Sequence, residues 1–307
     1  MGVQLMLLAG VFVAMQNFFF RRSIDSGGSS KAYLMVQLFL TFFVMILLNP
    51  VRSGNYTWDI PMALFGFCGG IILAAFMAMM GKALESGPPG LTFAVVNASS
   101  VMPIIFMVTL FGAGFGFSYT AWNGIGSALV VIGLFWAAKQ AIQEKKTFNW
   151  AFYVLLAFAL HTVFLVFLQW RSIFFTQPGA RALFLSFSET QSATQWFMPM
   201  IFFAASLIQG YVFFTTEKRK PLRAEVGYGV LGGVANGVGT FFMIWSTEVA
   251  NSVEQAMIFP IFSVSVIVLS NLWAQKMYKE KVNWVANTCC VLGLVIGTLN
   301  WKTLLGL

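Results

Sequence analysis

The sequence predicts an all-α polytopic membrane protein, with ten transmembrane helices arranged as two inverted five-helix repeats. Three observations lead there. Of the 307 residues, 59% are hydrophobic and only 9% are charged. A soluble domain carries about a quarter charged residues, so this chain lacks the charges to cover a water-facing surface. Ten apolar segments reach the roughly 20 residues needed to cross a hydrocarbon core. The second half of the chain also repeats features of the first in the same order.

The ten segments are 2–20, 32–49, 60–82, 91–112, 121–139, 149–173, 196–215, 226–246, 253–273 and 282–301. In hydrocarbon every backbone polar group needs a local partner, so each segment must be a helix. Segment 1 has no basic stretch before it and runs straight into Arg21-Arg22, so it reads as a first span and not as a cleavable leader. Segment 4 carries Asn97 and Pro103, segment 6 carries the single histidine, His161, and segment 9 carries Glu254 and Pro260. Connections are short except 175–195, whose "RALFLSF" core reads equally well as an interfacial helix or as a plain loop. Cys68, Cys289 and Cys290 all fall inside apolar segments, with neither a disulfide framework nor a zinc-ligand spacing.

Charge sets the expected orientation. The odd-numbered loops hold 14 of the 18 Lys and Arg residues, and Arg52, Arg171, Arg181 and Lys302 lie at the other end. The positive-inside rule then places the odd loops in the cytoplasm and both termini outside. The net charge of +8 is spread over short basic runs between apolar segments, which reads as topology signal and not as a nucleic-acid surface.

The repeat is visible at several points. At an offset of 163, Gly66, Gly69 and Gly70 fall on Gly229, Gly232 and Gly233, Ala74 falls on Gly237, and Glu85 falls on Glu248. "MPIIFMV" (102–108) matches "FPIFSVS" (259–265) at offset 157, pairing Pro103 with Pro260. "WNGIGSALVVIGL" (122–134) matches "VNWVANTCCVLGL" (282–294) at offset 160, and Arg22-Ser23-Ile24 matches Arg171-Ser172-Ile173 at offset 149. The division falls at 1–145 and 146–307. An odd number of helices per half inverts the second half, an architecture tied to alternating access in secondary transporters.

Three stretches carry a resemblance to a known family: "AGVFVAMQNFFFRRSIDSGGSSKAYLMVQLFLTFFVMILL" (9–48), "GKALESGPPGLTFAVVNASSVMPIIFMVTLF" (81–111) and "AMIFPIFSVSVIVLSNLWAQKMYKEKVNWVANTCCVLGLVIGTL" (256–299). They resemble the drug/metabolite transporter superfamily in its ten-helix EamA-like form, over nearly the whole chain. Lys279-Glu280 stands where that family has a Gly-Glu pair before the last helix, and the first half has "GAGFGFSY" with no acid. The resemblance implies a substrate site near the midplane, lined by helices 1, 3, 4, 6, 8 and 9. It implies substrates ranging from amino acids, nucleobases and vitamins to nucleotide-sugars and drugs.

Residues 227–239, "GYGVLGGVANGVG", contain a G-x-G-x-x-G match. A dinucleotide loop needs a strand before it, whereas "KRKPLRAEV" precedes this one. The better description is Gly229, Gly233 and Gly237 at four-residue spacing, one helix face that lets two backbones approach. Gly66 and Gly70 repeat the device in segment 3.

Polar residues within a span are costly and are site candidates by default. For substrate binding these are Asn17, Asn97, His161, Asn236 and Glu254, with Trp245 as a stacking surface for a flat ring. Glu254 and His161 are also candidates for proton coupling. Each has a plainer reading: Glu254 as a helix cap with Ser252 and Gln255, and the amides and His161 as interhelical hydrogen bonders. Glu85 and Glu248 sit near helix ends, where a cap or gate role is expected. There is no G-x-x-x-x-G-K-[ST], no metal-ligand spacing and no paired catalytic carboxylates, so neither a cofactor nor an enzymatic activity is expected.

The expected function is therefore secondary transport of a small organic metabolite. A zwitterionic or cationic compound with a flat ring, such as an aromatic amino acid or S-adenosylmethionine, fits the scarcity of intramembrane charge and the abundance of aromatics. The expected partners are that substrate and the lipid bilayer, with a monomer in the cell inner membrane. The competing classes are a membrane scaffold without a transport cycle and, behind it, a membrane-embedded enzyme.

Overall fold

A computed structural model describes residues 1–54, 58–115, 117, 119–143, 148–188, 195–249, 258–279, 284–299, 301 and 304. Among these residues there is no strand, and the architecture is that of an α-helical membrane protein. The helices are α1 (Gly2–Asp25), α2 (Ser30–Ser53), α3 (Ile60–Ser86), α4 (Pro89–Ala98), α5 (Pro103–Leu110), α6 (Ala121–Gln143), α7 (Phe148–Thr176), α8 (Phe197–Thr216), α9 (Arg223–Val249), α10 (Ile258–Tyr278) and α11 (Trp284–Thr298). Among the described residues, seven stretches are long and apolar enough to cross a membrane, with α4 and α5 together forming one of them. Ala121–Gly133, Ile261–Met277 and Trp284–Gly297 are shorter apolar helices.

Local chemistry fixes the ends of these helices. Asp59 caps α3 by accepting from the Met62 N–H at 2.8 Å. After α1 the chain turns through Gly27, whose φ of +80° a side chain would oppose. The described part of the 175–195 connection beyond α7, residues 177–188, is a loop and not an interfacial helix: Ala182 and Leu185 form a single antiparallel bridge, and the Gly179 N–H donates to Phe187 O at 2.8 Å. That turn drives Phe187 inward against Phe174, ring centroids 4.7 Å apart, and Phe65, at 5.7 Å.

The main neighbours of α1 are α9 and α10, those of α2 are α8 and α9, and those of α3 are α7 and α8. Further pairs are α4 with α7 and α10, and α6 with α11. Contacts give the direction of each pair. α1 runs antiparallel to α9: Ser246 Oγ donates to Gly2 O at 2.7 Å, while Phe19 stacks near Tyr228. α1 runs parallel to α10, with Gly10 beside Ser265 and Phe18 edge-on to Trp273.

The predicted glycine faces lie in two of these interfaces. Gly66 and Gly70 pack against the backbone of Phe197 and Ile201 on α8. Gly229, Gly233 and Gly237 pack against Val36, Gln37 with Leu40, and Val44 on α2. The G-x-G-x-x-G stretch lies wholly within α9.

Candidate functional site

Pro103 shapes the polar centre. It has no N–H to offer the Ser99 carbonyl, so α4 gives way to a 3₁₀ turn at Ser99–Val101 before α5 begins. At this break the Val96 carbonyl accepts from Ser99 Oγ at 2.6 Å and lies 3.1 Å from His161 Nδ1. The same Nδ1 is 2.6 Å from Ser99 Oγ. Phe76 of α3 stacks on the imidazole, with centroids 4.7 Å apart and planes at 25°.

The end of α4 and the side of α3 thus converge on His161 of α7, and two more helices join nearby. Ser100 Oγ lies 3.2 Å from Ser263 Oγ of α10. Trp273 of α10 bridges Phe18 of α1 and Phe93 of α4, at 5.6 and 5.9 Å between centroids.

His161 lies on the inward side of α7. Residues step by about 100° around a helix. Val154, Ala157 and Phe164 are buried, whereas Phe152, Leu155 and Val163 are exposed on the opposite side. His161 falls in the middle of the buried arc and is itself half-buried. It therefore lies on the side of α7 that faces the other helices.

The sequence candidates are only partly brought together. Asn97 shares the helix break with His161, but its amide donates to Phe93 O of its own helix at 2.8 Å. Asn17 is buried on α1, next to Gln16, whose carbonyl accepts from the Tyr33 hydroxyl of α2 at 3.1 Å. The Asn236 amide donates to Thr41 Oγ1 at 3.2 Å and so ties α9 to α2. Trp245 lies nine residues further, half a turn around the helix from Asn236, beside Phe241 at 5.6 Å. Asn236 and Trp245 cannot face the same ligand. Glu254, with Ser252 and Gln255, lies outside the described residues, as do Glu280 and the side chain of Glu248.

Sequence reasoning missed Ser99 and Phe76. The signal for Ser99 was its place four residues before Pro103, where the helix has to break and its carbonyl turns to the Met102 N–H. Nothing in the sequence marks Phe76 out from the other phenylalanines.

A second polar cluster, at the odd-loop end, was also missed. The Glu225 carboxylate is fully buried and accepts from the Ser29 N–H at 2.7 Å, the Leu222 N–H at 2.5 Å, and Arg219 Nη1 and Nη2 at 2.8 and 2.5 Å. Hydrogen bonding to that carboxylate raises the Arg219 guanidinium further above its ordinary value. Glu85 accepts from the Ser30 N–H at 2.9 Å and so caps α2 from the end of α3. Two acidic residues from different crossings thereby hold the start of α2.

No protein-family profile matches the chain, and no curated protein matches it. A crystal structure of a protein matches it with a TM-score of 0.60 at 14% sequence identity, covering 96% of this chain and 97% of the other. A likeness at this identity shows the fold alone.

Proposed function

We propose that this protein is a secondary transporter that moves a small organic metabolite across the membrane by alternating access between two inverted five-helix repeats. The carrying observation is the pattern of helix pairing. Counting α4 and α5 as one unit gives ten among the described residues, and each can be exchanged with the one five places along. The α1–α9 pair then becomes α7–α3, α2–α9 becomes α8–α3, and α1–α10 becomes α7–α4, while α2–α8, α4–α10 and α6–α11 map onto themselves. All of these pairs are in contact. The two glycine faces obey the same exchange, since one closes α9 on α2 and the other closes α3 on α8. A fold that maps onto itself in this way has two related ways to open, one to each side. The resemblance to EamA-like drug/metabolite transporters points the same way.

The substrate site of this reading is the interior surface at the α4 break, with His161, Asn97 and Phe76 on its walls. Glu225 is the only charged residue that is buried among the described residues. A polyanion such as a nucleotide-sugar would find no buried Lys or Arg there, which favours a zwitterionic or cationic compound with a flat ring. We place the protein in the cell inner membrane as a monomer, with its odd loops cytoplasmic and no enzymatic activity.

The test is a thermal-shift screen of the purified protein against a metabolite library, with each hit then assayed for uptake into proteoliposomes. A ligand stabilises the state it binds by mass action. The reading expects a hit that is transported and that is weakened by Asn97→Ala. A hit that binds but is never transported, in either direction across the vesicle membrane, would contradict it.

A further inference from the structure

We infer that His161 presents a bare Nε2 lone pair to the interior, and that the surface it forms with Phe76 takes a flat ring carrying an N–H donor. The inference rests on the reading of that surface as the substrate site, but its first half stands on hydrogen-bond geometry alone.

The tautomer follows from what faces Nδ1. The Val96 carbonyl can only accept, and it lies 3.1 Å away. The Ser99 hydroxyl gives its own proton to Val96 O at 2.6 Å, so toward Nδ1, also at 2.6 Å, it acts as an acceptor. Two acceptors around one nitrogen require that nitrogen to carry the proton, because a lone pair there would be repelled by both. In a neutral imidazole the other nitrogen is then the acceptor. Nε2 has no hydrogen-bond partner among the described residues, and His161 is half-buried on the inward side of α7.

The surroundings decide what such an acceptor selects. Phe76 lies nearly parallel to the imidazole, and Phe164 and Ala157 flank His161 on the buried face of α7. An acceptor within an apolar aromatic wall favours a ligand that brings a donor to it and lays a flat ring beside it. A carboxylate or phosphate oxygen would meet Nε2 lone pair to lone pair. This assigns the histidine a role in recognition as an acceptor and not as a resident proton carrier.

One chain property makes the test clean, because His161 is the only histidine. Protein purified through a histidine-free tag, labelled with ¹⁵N-histidine and reconstituted in lipid, gives one pair of imidazole nitrogen resonances by solid-state NMR. At pH 8 the expected result is a protonated Nδ1 and a bare Nε2. A protonated Nε2, with or without a protonated Nδ1, overturns the inference. Ser99→Ala leaves the Val96 carbonyl as an acceptor, so Nδ1 should stay protonated in that variant, and a shift of the proton to Nε2 would overturn the inference.

The ligand class is tested with indole and benzofuran, which share a shape and differ in the N–H. Indole should shift the Nε2 resonance and bind about fivefold more tightly than benzofuran, the ratio one net hydrogen bond supplies. His161→Phe should abolish that preference. Equal affinities, or an Nε2 resonance that neither compound moves, would overturn the donor selectivity. Failure of uptake by the vesicles, with the indole preference intact, would instead sink the transport reading and leave this ligand site standing.

Discussion

Substituting Gly233 by alanine should destabilise the protein, while the same change at Gly227 should not, although both glycines belong to the one glycine-rich stretch at 227–239. A Cβ on Gly233 would lie 2.7 Å from the backbone oxygen of Gln37 and 2.8 Å from the Leu40 Cβ. Ordinary contact begins at 3.4 Å, so α2 and α9 must separate by about 0.7 Å at this point. Overpacking of this kind costs about 1–3 kcal/mol. The separation also stretches the 3.1 Å contact of Thr41 Oγ1 with Gly233 O and, behind it, the 3.2 Å bond from Asn236, worth about 0.6 kcal/mol each in a membrane bundle. Against this, alanine gains about 1 kcal/mol of helix propensity over glycine. The net cost is about 1–3 kcal/mol. At Gly227 a Cβ meets nothing within 4 Å, so only the propensity gain of about 1 kcal/mol remains. Thermal melts followed by circular dichroism in one detergent should place Gly233→Ala below the parent and Gly227→Ala level with it or above. Equal loss at both positions would refute the packing account and reopen the motif as a loop with a ligand.

Three further outcomes are expected. Glu225→Gln leaves the buried donors of Ser29, Leu222 and Arg219 with one oxygen in place of a carboxylate, costing about 2 kcal/mol; faster trypsin cleavage after Lys218 and Arg219 reads this, and an unchanged rate would contradict the clamp. Phe187→Ala removes a buried ring from the cluster with Phe65 and Phe174; a loss of about 3 kcal/mol and accelerated cleavage at the exposed Arg181 should follow, whereas a normal melt would mean the loop carries no packing. Asn97→Ala removes only a bond to its own helix, so its melt should fall by less than about 1 kcal/mol, and any lost ligand stabilisation in that variant then reports contact with the ligand.

The seven long apolar stretches among the described residues were legible because apolar length is a strong signal, and the glycine faces because four-residue spacing fixes a helix side. Segment 1 (2–20) extends to Asp25, since the polar residues Arg21 to Asp25 continue the helix and bond along it, with Arg21 Nε 3.0 Å from Asp25. Segment 4 (91–112) was readable as a span, but not as two helices and a 3₁₀ turn, although Pro103 was in plain view. What a hydroxyl at such a break bonds to depends on which helix lies opposite, and the Ser99 hydroxyl meets His161 on a helix 62 residues away. Asn236 was a fair site candidate from its place in a span, yet its partner Thr41 lies 195 residues away and makes it a tie between helices. Glu225 escaped notice because an acid in a first turn is ordinary, and nothing local tells that Ser29 and Arg219 converge on it.

The central claim is that two inverted repeats open the same interior alternately to each side. Ser86 and Lys276 lie at the odd-loop end, and their repeat mates Val249 and Tyr119, offset by 163 and 157 residues, lie at the other. With Cys68, Cys289 and Cys290 replaced by alanine, spin labels on Ser86→Cys with Lys276→Cys, and separately on Tyr119→Cys with Val249→Cys, report the width of each end by pulsed electron double resonance. The account predicts two distances for each pair, with a ligand from the thermal-shift screen shifting the two ends in opposite senses. Both ends widening together, or a single unchanging distance at each with ligand bound and absent, would contradict it.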